Sequence, residues 1–110
     1  MTPAKYNINI WRGATKPLEF RFPLNLTGYT AALYYKDLNN TTQTIVLSLS
    51  EYQASPVKWA ATAELTPTQT RAFPLGKTFN YEVQLKSSSG KEYVYLEGLL
   101  IIKGGVNIDG

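Results

Sequence analysis

The feature that most restricts the fold of this chain is a strict alternation of apolar and polar residues. The sequence reads Phe79-Asn80-Tyr81-Glu82-Val83-Gln84-Leu85-Lys86, with an apolar residue at every odd position and a polar one at every even position. Successive side chains of a β-strand point to opposite faces of the sheet, so one face of this segment meets a core and the other meets solvent. The pattern predicts a half-buried strand.

Six further segments carry related strand signals. Alternation marks residues 6–10, 18–22 and 57–65, and enrichment in β-branched, aromatic and leucine residues marks 29–36, 43–49 and 93–103. Clusters of turn-forming residues separate several of these segments, at 37–42 and at 86–91. About seven strands in 110 residues predict an all-β fold, a sandwich or a barrel, built as a single domain over residues 1–110.

Residues 66–73 depart from the strand pattern. Thr66 is a suitable N-cap, Pro67 fits the first helical position, and Pro74 blocks continuation of a helix. We therefore expect one short helical turn near 66–73. We also expect residues 1–5 to form a flexible N-terminal arm and residues 104–110 to form an extended C-terminal tail.

The composition removes most familiar catalytic chemistry. The chain has no Cys and no His, so it lacks disulfides, thiol nucleophiles, imidazole bases and the commonest ligands of zinc, copper and iron. Its net charge of +3 comes from lysines spread along the chain, and no strand carries the aromatic and basic pattern of an RNA-binding sheet. We expect no catalytic residue, metal, cofactor or nucleic-acid partner.

Neither a membrane span nor a secretory signal is predicted. The longest apolar runs, 31–35 and 99–102, are far shorter than the roughly 20 residues that a membrane-spanning helix needs. The first residues contain no apolar stretch typical of a Sec-type signal. We expect synthesis in the cytoplasm and no membrane partner.

The acidic residues leave one enzymatic alternative open. No two of them are spaced i, i+2 on one strand, but two carboxylates about 5 to 10 Å apart can assemble through space in a hydrolase. That alternative predicts a cleft and a glutamate with a raised pKa. Asp37, Asn39 and Asn40 are possible calcium ligands, although a tight turn uses the same residue types, and we favour the turn.

The aromatic residues fall into two groups, according to whether they occupy the apolar or the polar positions of their strands. Five lie on the apolar phase of their strands and are predicted to fill the core: Phe20, Phe22, Trp59, Phe79 and Tyr81. Trp11 and Tyr34 fall on the opposite phase, and together with Tyr52 they are candidate stacking platforms. They support an alternative function, a carbohydrate-binding module that uses exposed aromatic residues.

The last strand segment is apolar on both phases. If Val94, Leu96, Leu100 and Ile102 face the core, an outward row remains that needs a cover: Tyr93, Tyr95, Leu99 and Ile101. The cover is a neighbouring subunit or partner, the chain's own tail, or nothing if Gly98 is a bulge that shifts the phase. We interpret the row as a partner interface, with a second contact from residues 2–6 or 104–110.

Several short motifs, in order, resemble a known family. They are Arg12-Gly13-Ala14-Thr15, Leu26-Thr27-Gly28, Leu65-Thr66-Pro67-Thr68-Gln69-Thr70, Phe73-Pro74-Leu75-Gly76, Phe79 to Leu85, and Glu97-Gly98-Leu99-Leu100-Ile101. The chain from Arg12 to about Lys103 is similar to the small β-sandwich domain of virion structural proteins of tailed bacteriophages, including the N-terminal domain of upper-baseplate proteins. It departs from that family at Ala14, which separates Gly13 from Thr15, and at the ending Val106-Asn107-Ile108.

The resemblance implies a fold, a function and a location. The fold would be an immunoglobulin-like β-sandwich of about seven antiparallel strands. The function would be that of a non-enzymatic structural component of the tail, baseplate, neck or head decoration. Its partners would be copies of itself and other virion structural proteins, and its location the virion, after synthesis in the bacterial host cytoplasm.

Overall fold

A computed structural model describes residues 4–104 of the chain. They form mostly β-strand with one short helix, which confirms the predicted all-β class. The elements in chain order are β1 Ala4–Lys5, β2 Ile8–Arg12, β3 Lys16–Phe22, β4 Thr30–Lys36, β5 Thr42–Ala54, β6 Val57–Leu65, α1 Pro67–Arg71, β7 Thr78–Lys86 and β8 Glu92–Gly104. Within residues 4–104, no helix is long and apolar enough to cross a membrane.

The strands form one mixed sheet. Its order is β1-β8-β7-β4-β5-β6-β3, and β2 continues alongside β8 beyond β1. Both β1 and β2 pair with β8 in parallel, whereas the other neighbours are antiparallel. The expectation of purely antiparallel strands is therefore wrong at this edge.

The structure also differs from the predicted N-terminal arm. Instead of lying free, Ala4 and Lys5 align with Leu96 and Glu97 of β8, because the unpaired edge of β8 offers them backbone partners. Residues 1–3 of the predicted arm lie outside the described residues. Of the predicted tail, Gly104 belongs to β8, and residues 105–110 lie outside the described residues.

The long strand β5 makes the sheet curl. Its residues 42–47 pair with β4, and its residues 48–54 pair with β6. The strand therefore extends past the predicted end at 49, because its second half forms a hairpin with β6. The curl brings β3 over β8, where the rings of Phe22 and Tyr95 meet edge to face with centroids 5.0 Å apart.

A single core fills the curled sheet. The apolar phases of β2, β3, β4, β7 and β8 all contribute to it, which is what alternation predicts. Four of the five aromatic residues assigned to the core are buried there, and Trp59 packs against it half-buried. The largest fully buried side chains are those of Phe22, Ile10, Leu26, Leu33, Leu85, Leu100, Val83 and Thr70.

The short helix forms where its capping residues predict it. The Thr66 hydroxyl accepts a hydrogen bond from the Gln69 backbone N–H at 3.2 Å, and the Gln69 side chain accepts one from the Thr66 N–H at 2.8 Å. This capping box satisfies two N–H groups at the helix start. The buried hydroxyl of Thr70 accepts from the Gly13 N–H at 3.0 Å and donates to the Ala14 carbonyl at 2.9 Å, which ties α1 to the β2–β3 connection.

The residues 37–42 form a turn, as we favoured over a calcium site. A carboxylate oxygen of Asp37 accepts hydrogen bonds from the N–H groups of Asn39 and Thr41, at 2.9 and 3.0 Å. The bonds from Thr41 and from the Gln43 side chain lower the pKa of Asp37, because they stabilise its charged form. The carboxylate is thus already used by the turn.

Candidate functional site

The surface that the sequence singles out is the solvent side of the sheet half made by β1, β2, β8, β7, β4 and the first half of β5. We call this surface the outer face. The register sets its residues in rows across the strands. One row contains Thr44, Tyr34, Glu82, Glu97 and Lys5, and the next contains the pairs Thr42–Lys36 and Asn80–Leu99.

Two of the four predicted interface residues lie on the outer face. Leu99 and Ile101 are half-buried there, and they alternate with the buried Leu100 and Ile102 on the core side. The strand is therefore apolar on both faces over these residues. An apolar pair on the solvent side of a sheet whose core is already complete is available for contact with another surface.

The other two predicted interface residues lie on the core side. Val83 pairs with Leu96 whereas Gln84 pairs with Val94, so Tyr95 is an extra residue in β8 and forms a β-bulge. In the part of β8 that precedes Tyr95, the bulge reverses which residues face the core and which face the solvent. The predicted outward position of Tyr95 is wrong, because the bulge lets it pack against the core together with Leu96.

The same bulge also reverses the sides of the sheet on which Tyr93 and Val94 lie. Tyr93 lies opposite the buried Leu85 and shares its side of the sheet, although 46% of Tyr93 remains exposed at the end of the strand. Val94 lies opposite Gln84 on the outer face, not in the core as its spacing from Leu96 predicts. The sequence raised a bulge at Gly98, but Gly98 keeps its register partner Tyr81 and the bulge lies at Tyr95, because a bulge has no apolar period that marks its position.

Sequence reasoning also missed Val46. Ile45, Leu47 and Leu49 take the core side of β5, which leaves Val46 on the outer face with 77% of its surface exposed. It lies in one row with Ala32, Gln84 and Val94. The sequence does carry a signal for this position. In residues 43–49 the apolar residues Ile45, Leu47 and Leu49 occupy odd positions, which predicts that the even-numbered Val46 lies on the opposite face.

The three candidate stacking residues do not form one platform. Tyr34 lies in the middle of the outer face, and Trp11 lies at its far corner beside Lys103, six residues along β8 from Glu97, which corresponds to about 20 Å. Tyr52 lies in the second half of β5. Lys103 and Arg21 already cover the rings of Trp11 and Tyr52, at 5.6 and 5.1 Å from the ring centroids.

A groove of about 620 Å³ crosses the outer face at Tyr34. It runs over the two rows defined above and reaches the N-terminal edge strand. The outer-face residues that line it are Lys5, Tyr34, Lys36, Thr42, Asn80, Glu82, Glu97 and Leu99.

Two carboxylates meet in this groove. Glu82 and Glu97 are direct partners in the antiparallel register, and both are half-buried. Opposed residues of this kind have Cβ atoms about 5 Å apart, and like charges so placed destabilise a sheet. Among residues 4–104, neither carboxylate has a lysine or arginine nitrogen within ion-pair distance. The sequence spacing did not nominate this pair, because its members come from different strands.

Hydrogen bonds at Tyr6 lie next to the groove, which Asn7 and Tyr81 also line. The Tyr81 hydroxyl donates a hydrogen bond to the Tyr6 carbonyl, and the Tyr6 N–H donates one to the Glu97 carbonyl at 2.9 Å. The Asn7 side-chain oxygen accepts one from the Leu99 N–H at 3.1 Å. Burial, followed by the neighbouring Tyr6, raises the pKa of Tyr81 to about 12, so its hydroxyl keeps its proton and remains a donor.

The described residues hold no cluster of three or more His, Cys, Asp or Glu side chains suited to bind a metal. The site combines the apolar residues Leu99 and Ile101 of β8 with an adjoining groove, in which the Tyr34 ring and two opposed carboxylates lie on the outer face. No protein-family model matches the chain, and no curated protein matches it.

Proposed function

We propose that this chain is a non-enzymatic structural component of a tailed bacteriophage virion and acts through repeated protein–protein contacts. Its fold on this proposal is a variant of the immunoglobulin-like sandwich in which the N-terminal strands pair in parallel with the last strand. Its partners are copies of itself and other proteins of the virion, in the tail, baseplate, neck or head decoration.

The observation that carries the contact function is the double-sided apolar character of β8. Leu100 and Ile102 complete the core, and Leu99 and Ile101 repeat the apolar pattern on the outer face. Val94 and Val46 lie on the same face, on the other side of the row that contains Tyr34, Glu82 and Glu97. A second protein surface laid on this face would remove these side chains from water, at about 25 cal/mol per Å² of apolar area.

The motifs that carry the family resemblance contain residues with structural roles, in turns, in helix capping and in joining distant segments. Gly28 and Gly76 have positive φ values of 81° and 75° at turns, and Thr66 caps α1. Thr70 joins α1 to the loop at Gly13 and Ala14. These residues specify a fold and no reaction, which agrees with a protein that works by shape and contact.

The opposing edge strand is protected against unspecific pairing. Pro17 lies in β3, where it removes one backbone donor, and Lys16, Glu19 and Arg21 place charges along the same strand. A contact surface on the outer face, with a blunted edge elsewhere, favours defined assembly over open-ended aggregation.

The proposal is tested on particles produced from the genome that encodes the chain. Purified particles are labelled with gold-conjugated antibody to this protein and imaged by electron microscopy, and their composition is measured by mass spectrometry. We expect label at a fixed place on the particle and several copies per particle. Mature particles that lack the protein, or turnover of a substrate by the isolated protein, would contradict the proposal.

A further inference from the structure

The groove on the outer face has a feature that a plain protein contact does not explain. Glu82 and Glu97 lie opposite each other on adjacent strands with no ion-pair partner among residues 4–104. A sheet gains nothing from two facing carboxylates, because their repulsion opposes the pairing of β7 with β8. Gln84 donates a hydrogen bond to Glu82, which leaves oxygen atoms on both carboxylates available as acceptors.

The charge of the groove is balanced. Lys5 and Lys36 line it together with the two glutamates. Lys5 is aligned with Glu97 in the parallel register, yet the two do not form an ion pair. A strongly anionic or strongly cationic ligand would meet one favourable and one unfavourable pair of charges. A neutral ligand meets no such conflict.

The polar groups of the groove include both donors and acceptors. The glutamates accept hydrogen bonds, the lysines donate them, and the exposed amide of Asn80 does both. A hydroxyl group also donates and accepts. Adjacent hydroxyls of one sugar ring can donate to the two facing carboxylates, and this would relieve the repulsion that the free protein carries.

Tyr34 and Leu99 supply apolar surface to the groove, and Tyr34 supplies an aromatic ring. Its ring is half-buried on the outer face, and Tyr34 is the register partner of Glu82. An aromatic ring beside fixed polar groups matches a pyranose, which has a C–H face and a rim of hydroxyls. The volume of about 620 Å³ lies within the usual range of ligand pockets, about 300 to 1,000 Å³.

We propose that this groove binds a neutral oligosaccharide. Tyr34 packs against the apolar face of one sugar ring. Glu82, Glu97 and Asn80 bind its hydroxyls, and Lys5 and Lys36 bind those of the neighbouring units. This activity goes beyond assembly, since it needs Tyr34 and the carboxylates and makes no use of Ile101 or Val46.

Binding is tested with the full chain on an array of neutral and acidic oligosaccharides, built from glucose, galactose, mannose and their N-acetylated and carboxylated derivatives. The tightest neutral ligand is then titrated by calorimetry. We expect binding to neutral members of the array. Tyr34→Ala and Glu97→Gln are expected to weaken it about tenfold or more, which corresponds to the loss of one good contact.

Two variants distinguish an effect on oligosaccharide binding from an effect on folding. Tyr52→Ala removes a more exposed aromatic residue that lies outside the groove and is expected to leave the affinity unchanged. Glu97→Gln relieves the repulsion with Glu82, so we expect its unfolding free energy to stay equal or rise while the affinity falls. A purely structural glutamate would not give this opposite pair of effects.

Other results would overturn the proposal. They are the absence of binding to any neutral oligosaccharide on the array, an equal loss of affinity in Tyr52→Ala, or binding of only a trilysine peptide and spermidine. The last result would identify the groove as a site for basic side chains of a protein partner.

Discussion

The carbonyl group of Tyr6 occupies the space that a Cβ atom on Gly98 would need. A Cβ built on Gly98 would lie 2.7 Å from the Tyr6 carbonyl carbon, closer still to its oxygen, and 3.2 Å from the Asn7 side-chain oxygen. The obstructing atoms belong mostly to backbone that is itself hydrogen-bonded to Tyr81 and Glu97. The glycine therefore permits the close approach of the N-terminal strands to β8.

We expect Gly98→Ala to destabilise the protein by about 1–3 kcal/mol, because the added methyl group pushes the Tyr6 backbone away from β8. Urea unfolding measures the total effect. Hydrogen exchange measures the local effect at the contact between β8 and the N-terminal strands. We expect faster exchange at the N–H groups of Tyr6 and Leu99. Gly90→Ala is the matched control, because it introduces strain from a positive φ of 88° but has no neighbouring atom within 4 Å. Unchanged exchange at Tyr6 in Gly98→Ala would contradict the steric explanation.

The raised pKa of Tyr81 predicts a loss of stability in alkali. Its pKa is about 12 in the folded protein and about 10 in an unfolded chain, so the folded state holds the proton more tightly. The stabilisation is complete below pH 10 and is lost as the pH rises to about 12. Two pKa units correspond to about 2–3 kcal/mol.

Urea unfolding of the native protein and of Tyr81→Phe between pH 8 and 12 measures this effect. Near pH 8 we expect the variant to be less stable by about 1 kcal/mol, because it lacks the hydrogen bond to Tyr6. Above pH 10 the difference should shrink and then reverse. Parallel pH curves for the two proteins would show that Tyr81 titrates normally in the folded state.

Thr70 joins two segments that are distant in the sequence, and its hydroxyl is the polar part of that connection. Thr70→Val keeps the shape of the side chain but leaves the Gly13 N–H without its acceptor, so we expect a loss of about 1–3 kcal/mol. Thr68→Val, on the exposed side of the same helix, is the control and should cost less than about 1 kcal/mol. Thermal unfolding of both variants gives the comparison. Equal losses would assign the effect to helix propensity alone.

The sequence predicts what depends on local chemistry. The alternation in residues 79–86 specifies the core side of β7, and Thr66 and Pro67 specify the start of α1. Neither the parallel pairing of β2 with β8 nor the meeting of Glu82 with Glu97 is local, because both are set by which strands become neighbours. A single sequence carries no direct signal for such pairings.

The bulge at Tyr95 shows the same limit within one strand. One inserted residue reverses every assignment before it, so a periodic pattern read back from Leu100 gives the wrong side for Tyr93, Val94 and Tyr95. Leu99 and Ile101, which follow the bulge, keep their predicted side. The candidate interface was therefore predictable only on one side of the bulge.

This assignment predicts unequal effects for two tyrosines two residues apart. Tyr95→Ala removes the ring that packs edge to face on Phe22, and we expect a loss of about 3 kcal/mol. Tyr93→Ala truncates a residue that is 46% exposed at the end of the strand, and we expect a loss below about 1 kcal/mol. Urea unfolding of each variant measures both values. A larger loss for Tyr93→Ala than for Tyr95→Ala would place the bulge at the wrong residue.

Adjacent leucines provide the sharpest test of the outer face. Leu99→Asp introduces a charge on the solvent side of β8, so we expect the fold to remain and assembly to fail. Leu100→Asp buries an unpaired charge at a position that is 1% exposed, and we expect it to prevent folding. Circular dichroism measures folding, and incorporation into particles during complementation measures assembly. If Leu99→Asp unfolds the protein as Leu100→Asp does, this side chain belongs to the interior; if the folded variant enters particles normally, the contact lies on another surface.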